Sequence, residues 1–327
     1  MRLLTLTLLS STLLFASSAL FAADKVTFQL DWLPGGDKAP VYVGIAKGFF
    51  ADEGLDITIA QGRGSADAIT KLATGNADIG LSDIGALMIA RAESQVKVKA
   101  VMNVFSDAPH AFYTLSSSGI KTVADVKGKK LATSPFTSSN LFLPLVLDMN
   151  KVPQDSISLV KADPGALNPM LINGATDVVI AWVTDLSHYT EQAKLAGKEL
   201  AIIPWYSAGI SIYSASLIAN ESFLQKRPDV AKRFVKAYQK ALAYTWAHPE
   251  ESGAAVHKLV PEVDAAVAAN TIKSIRSLVY NAVSEKDGVG TLEPARLAKT
   301  WELVAKAKEL KTDALDPEQA VDRSLLN

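Results

Sequence analysis

The stretch from Val26 to Leu87 constrains the fold more than any other part of this chain. A short apolar strand ends in Asp31-Trp32, and Pro40-Val-Tyr-Val-Gly-Ile-Ala-Lys-Gly-Phe-Phe-Ala-Asp-Glu-Gly-Leu-Asp-Ile-Thr-Ile59 then reads as helix, glycine turn and strand. Gly62-Arg-Gly-Ser-Ala-Asp67 opens a second helix, which closes on Gly75-Asn76 and leads into the strand Ala77-Asp-Ile-Gly-Leu-Ser-Asp83. The result is a βαβαβ unit. Its polar residues gather at the carboxyl ends of the strands, where open α/β sheets bind small molecules.

The same phrases carry a family resemblance. The Asp-Trp strand end, the run from Tyr42 to Ile57 and the phrase Gly75 to Asp83 resemble the first lobe of periplasmic solute-binding proteins of ABC importers. The branch they resemble serves thiamine pyrimidine precursors, nitrate, sulfonates and taurine. The resemblance is clear from Val26 to about Val104, extends to Trp182 and is only architectural after Asn220. It implies a two-lobe α/β fold of the type II-like periplasmic binding protein kind, each lobe a βα sheet, with the ligand cleft between the lobes. It further implies a small-molecule ligand, a monomer, no cofactor and a permease in the inner membrane as partner.

Residues 1–22 read as an export signal: Arg2 supplies the positive start, Leu3 to Phe15 the apolar segment, and the following Ala and Ser residues the small-residue end. The mature chain is therefore expected in the periplasm, starting at Ala23 or Asp24. No other stretch approaches the ~20 apolar residues of a membrane span. The chain has no cysteine, which removes disulfides, thiolate chemistry and a lipid-modified N-terminal Cys. With 33 basic and 34 acidic residues the net charge is -1, so no global field favours nucleic acid or an anionic membrane. The ~300 remaining residues suit two lobes better than one core. Lobe one is expected over residues 23–110 and 216–327, lobe two over 111–215.

Beyond Asp83 the pattern predicts a helix from Ile84 to Glu93, a strand from Val96 to Val101 and a crossing segment from His110 to Leu115. Lobe two then alternates: short helix 122–126, strand 131–133, helix 138–149, strand 157–160, helix 166–172, strand 177–181, helix 186–195 and strand 200–203. Gly174-Ala-Thr-Asp177 repeats the role of Gly75-Asn-Ala-Asp78, a glycine helix stop before a buried strand. Ser211 to Ala219 reads as the return crossing. Helices at 220–226, 228–248, 249–259, 264–280 and 293–310 follow, with apolar residues at three- and four-residue spacing that should pack on lobe one. Two crossings make a hinge.

The candidate ligand residues sit where strands end. Trp32 and Trp182 offer flat faces for a heteroaromatic ring, with core packing as the alternative for each. Asp31 is a carboxylate with no cation beside it in sequence, suited to accept from a ligand amine or to cap a helix. Gly64-Ser65 and Ser82-Asp83 precede helices and place oxygens and free N–H groups at the cleft, as ordinary caps also do. Thr137, Ser138, Ser139 and Asn140 form a hydroxyl-rich loop ahead of a helix, with more polar groups than a cap requires. In the thiamine-precursor branch a Trp-rich phrase is followed by a Glu that reads an aminopyrimidine. Here the stretch is Ala181-Trp-Val-Thr-Asp185, which makes Asp185 the nearest counterpart, different in residue type.

Lys38, Arg63 and His110 are the cations near the expected cleft, against Asp31, Asp83 and Asp185. That balance favours an amine-bearing heterocycle over nitrate, taurine or a sulfonate, although helix N-termini bind anions without cations. Catalysis finds little support. The four histidines lack metal-ligand spacing, and there is no nucleophile elbow or phosphate loop. A related synthase of the thiamine pyrimidine carries a Cys-rich segment that this chain lacks. An exported enzyme or a sensory subunit on the same fold remains the reading of another class.

Overall fold

The computed structural model describes residues 22–326. All but the last residue of the expected export signal lies outside the described residues. Two five-stranded sheets organise the rest.

The first sheet contains β1 (Asp24–Gln29), β2 (Leu55–Ala60), β3 (Ile79–Asp83), β4 (Val98–Asn103) and a late strand from Ala215 to Asn220. The second contains β5 (His110–Leu115), β6 (Lys130–Thr133), β7 (Ser158–Lys161), β8 (Val178–Trp182) and β9 (Leu200–Pro204). With the late strand as β10, the orders are β2-β1-β3-β10-β4 and β7-β6-β8-β5-β9. In each sheet the fourth strand is the one that has crossed from the other. It runs antiparallel to both neighbours, β10 to β3 and β4, β5 to β8 and β9. Segments expected as plain crossings are thus strands that close the sheets. The simple βα repeat expected for 111–215 is broken at β5, because that strand enters from the opposite end.

Helices α1 (Ala39–Ala46), α2 (Phe49–Asp52), α3 (Ser65–Ala73) and α4 (Ile84–Ser94) connect the first sheet; α5 (Ser139–Met149), α6 (Pro164–Ile172) and α7 (Leu186–Leu195) connect the second. After β10 come α8 (Glu221–Lys226), α9 (Pro228–Ala247), α10 (Pro249–Leu259), α11 (Ala265–Ser274), α12 (Arg276–Val279), α13 (Ala282–Asp287) and α14 (Pro294–Ala307). Asn220 starts this series by accepting from Ser222 N and Phe223 N. Phe234 and Tyr238 of α9 stack on Phe28 of β1, which fixes α9 against the first sheet.

The expected helix 264–280 is interrupted at Ile275. Helix α13, absent from the sequence reading, is nucleated by Asn281, whose side chain accepts from Val283 N and Ser284 N in a capping box. Two C-terminal helices reach past the first sheet. Leu297, Trp301 and Val304 of α14 join a core that also contains Phe142 and Val146 of α5, and α11 lies against α7. Among the described residues no helix is long and apolar enough to cross a membrane.

Candidate ligand-binding site

Asp31 and Trp32 leave β1 on a segment that turns through Gly35-Gly36 and returns as a single helical turn, Gly36–Lys38. Gly36 lies so close to α11 that a Cβ would overlap the Ala268 carbonyl, so only glycine permits this turn. The turn carries Lys38 back onto Asp31. Its Nζ stands 2.6 Å from Asp31 Oδ1 and 2.8 Å from Asp37 Oδ2, with Lys38 and Asp31 almost wholly enclosed. Burial pulls the lysine down, but the Asp31 and Asp37 carboxylates more than reverse that, holding it protonated far above its ordinary range. The Asp31 expected to stand without a cation therefore has one, seven residues on in sequence.

A slot of about 300 Å³ opens beside this triad. Trp32, half-buried, and Trp182, at the end of β8, both line it, as do Asp31, Gly64, Ser65, Thr137 and Asp185. The slot also takes in Asp37, Ala181 and Thr184, which the sequence did not suggest. Lys38 Nζ lies 5.6 Å from the Trp182 ring centre, so the ring face helps to hold the ammonium. Protein mass around Asp185 and the nearby Asp37 charge push its carboxyl up to about 7, against the opposing pull of Lys38.

The remaining candidates support this wall from behind. Ser82 Oγ donates to Ser65 O at 3.3 Å, and Asp83 N donates to Ser65 Oγ at 3.2 Å. Asp83 is fully enclosed: it caps α4 by accepting from Gly85 N and Ala86 N, and accepts from Ser214 Oγ at 2.5 Å. Burial, only partly offset by these bonds, pushes its carboxyl up to about 6. Ser139 Oγ is 3.0 Å from His110 Nδ1, and Asn140 is occupied by Thr133 Oγ1 and Ser134 O. Ser138 Oγ is buried with no partner among the described residues.

The cation balance sharpens accordingly. His110 is completely buried, and burial drops its imidazole to about 3, so it is neutral at pH 7. Arg63 is largely exposed and leans on Asp67 at 3.6 Å. Lys38 alone faces the slot's acids, and two of them already hold it.

The two sheets meet at one edge of the slot. Ala66 N donates to Phe136 O at 3.1 Å, and Ser134 Oγ donates to Arg63 O at 3.0 Å. Gly64 has φ +150°, and a Cβ there would fall inside the Phe136 backbone, which explains a glycine at the point of closest approach.

Residues 36–252 match the model of the family described as NMT1/THI5 like. A putative thiamine biosynthesis protein of Haemophilus influenzae is 26% identical over 91% of this chain and 94% of its own length. A 4-amino-5-hydroxymethyl-2-methylpyrimidine phosphate synthase of Candida albicans is 26% identical, over 79% of this chain and 78% of the relative. The formylaminopyrimidine-binding protein of Halalkalibacterium halodurans is 25% identical, over 71% and 69%. Among solved structures, the alkanesulfonate-binding protein SsuA of Xanthomonas axonopodis pv. citri, bound to MOPS, superposes with TM-score 0.73 at 15% identity, covering 93% of this chain and 99% of that one. A Candida albicans protein described as exhibiting the generic periplasmic binding protein fold gives 0.68 at 17% identity, over 93% and 97%. With two crossed sheets of this kind and a family match spanning most of the chain, the protein belongs to the NMT1/THI5-like family and has the periplasmic binding protein fold.

Proposed function

We propose that this protein is the periplasmic solute-binding component of an ABC importer, acting as a monomer that captures an amine-bearing heteroaromatic molecule of the thiamine pyrimidine precursor kind and passes it to an inner-membrane permease. The reading rests on one observation above all: two indoles and an excess of carboxylates over a single, already paired lysine line the same slot. An indole face suits a flat ring, and Asp185 suits its amino groups. A sulfonate or nitrate would meet Asp31, Asp37 and Asp185 with no free cation to balance it. The pyrimidine theme of the relatives agrees with this choice.

In this reading residues 23–110 and 216–327 form one lobe, 111–215 the other, and the hinge lies at 110–115 and 211–219. Binding rather than synthesis is favoured because the one enclosed histidine is held neutral behind the slot and the chain contains no thiol. Mass spectrometry of small molecules released from the purified, denatured protein tests the assignment. A heteroaromatic amine is expected; a released sulfonate would reject the ligand class.

A further inference from the structure

Beside the slot, and continuous with it through Trp32, Asp37, Thr184 and Asp185, runs a much wider groove of about 1570 Å³, open to solvent. Its walls are α6 and α7 on one side and the start of α11 on the other. We propose that this groove is a second subsite, built for a cationic, hydroxyl-bearing group attached to the ring that occupies the slot. The inference rests on the slot holding a heteroaromatic ring and extends the ligand class to rings carrying such a group.

Two independent features point this way. The first is charge. Asp37, Asp185, Glu191, Glu262 and Asp264 line the groove, and no lysine or arginine does. Asp37 is held by Lys38, whereas the other four form no ion pair among the described residues.

The second is a pair of enclosed polar atoms. Asn168 Nδ2 donates to Tyr189 O at 3.3 Å and to Gln192 Oε1 at 2.6 Å, which fixes the amide so that Oδ1 is the free acceptor. That oxygen has no partner among the described residues, and neither has the Tyr189 hydroxyl; both residues line the groove and are nine-tenths or more buried. Leaving two such atoms unsatisfied is costly, so a ligand that donates to Asn168 and exchanges a hydrogen bond with Tyr189 recovers that cost on binding. A cation alone needs neither atom, and an anionic group would face the carboxylates. A hydroxyl on a positively charged extension uses both features.

The test is calorimetric titration of the mature protein with three probes: 4-amino-5-hydroxymethyl-2-methylpyrimidine, thiamine and thiamine monophosphate. Thiamine carries the aminopyrimidine on a cationic ring with a hydroxyethyl arm, and its monophosphate replaces that hydroxyl with an anion. Thiamine is expected to bind about tenfold tighter than the pyrimidine, and the monophosphate weaker than thiamine. Tyr189→Phe, which removes an unbonded hydroxyl, should lower thiamine affinity severalfold and leave the pyrimidine's unchanged. Equal binding of thiamine and the pyrimidine, or an unaltered thiamine affinity in Tyr189→Phe, overturns the subsite while the slot assignment stands. No binding by any probe overturns the slot assignment as well.

Discussion

Replacing Lys38 with methionine keeps most of the side-chain volume and removes the charge that holds two enclosed carboxylates. Both contacts are short, 2.6 Å to Asp31 and 2.8 Å to Asp37, and all three residues are less than a tenth exposed. At an effective dielectric near 20, each contact is worth about 6 kcal/mol of gross attraction. Desolvation of three charges cancels much of that, and removing one member of a buried ionic group costs about 3–5 kcal/mol net. Against a total stability of roughly 5–15 kcal/mol, that is a large fraction. Urea unfolding followed by tryptophan fluorescence should show the midpoint fall with little change in slope. The double variant Asp31→Asn/Lys38→Met, which removes one stranded charge, should recover part of the loss, giving a strongly non-additive cycle. A Lys38→Met deficit below about 1 kcal/mol, or an additive cycle, would refute the triad as a unit.

Three further outcomes follow from the same geometry. Trp32→Ala should cost about 1–3 kcal/mol of affinity for an aminopyrimidine, the range for a base stacked on an aromatic side chain, while the half-buried position leaves the fold intact; a lowered melting point with unchanged affinity would show a packing role instead. Affinity for amine donors should rise as pH climbs through about 7, where Asp185 becomes a carboxylate, and Asp185→Asn should flatten that profile in calorimetry. For the unliganded protein the sign is reversed: the stability tied to the raised Asp185 and Asp83 values is full below about 3.8 and lost as pH rises through about 7 and about 6. Gly64→Ala should push Phe136 away, enlarge the radius of gyration in small-angle scattering and weaken binding; an unchanged radius would mean that the contact does not hold the two sheets together.

How much could be read beforehand depended on how local each signal was. The strands and helices from Val26 to Asp83 announced themselves through glycine stops and apolar runs, and Asn220 capped the helix its position suggested. Trp32, Trp182 and Asp185 lie beside strand ends and so were visible as candidates. The Asp31–Lys38 pair was not, because it depends on a turn at Gly35-Gly36 whose geometry is set by α11, more than two hundred residues away in sequence. His110 read as an available cation because nothing local reveals that Phe142, Trp182 and Trp205 enclose it. The wide groove needs α6, α7 and α11 to converge, and no single stretch of sequence encodes that.

The central claim is that the slot selects a heteroaromatic amine over a small anion, and calorimetric titration of the mature protein tests it most directly. Micromolar or tighter binding of a hydroxymethyl- or formylamino-pyrimidine, with no heat from taurine, nitrate or an alkanesulfonate, is the predicted result. Micromolar binding of a sulfonate with no heat from any pyrimidine would contradict it.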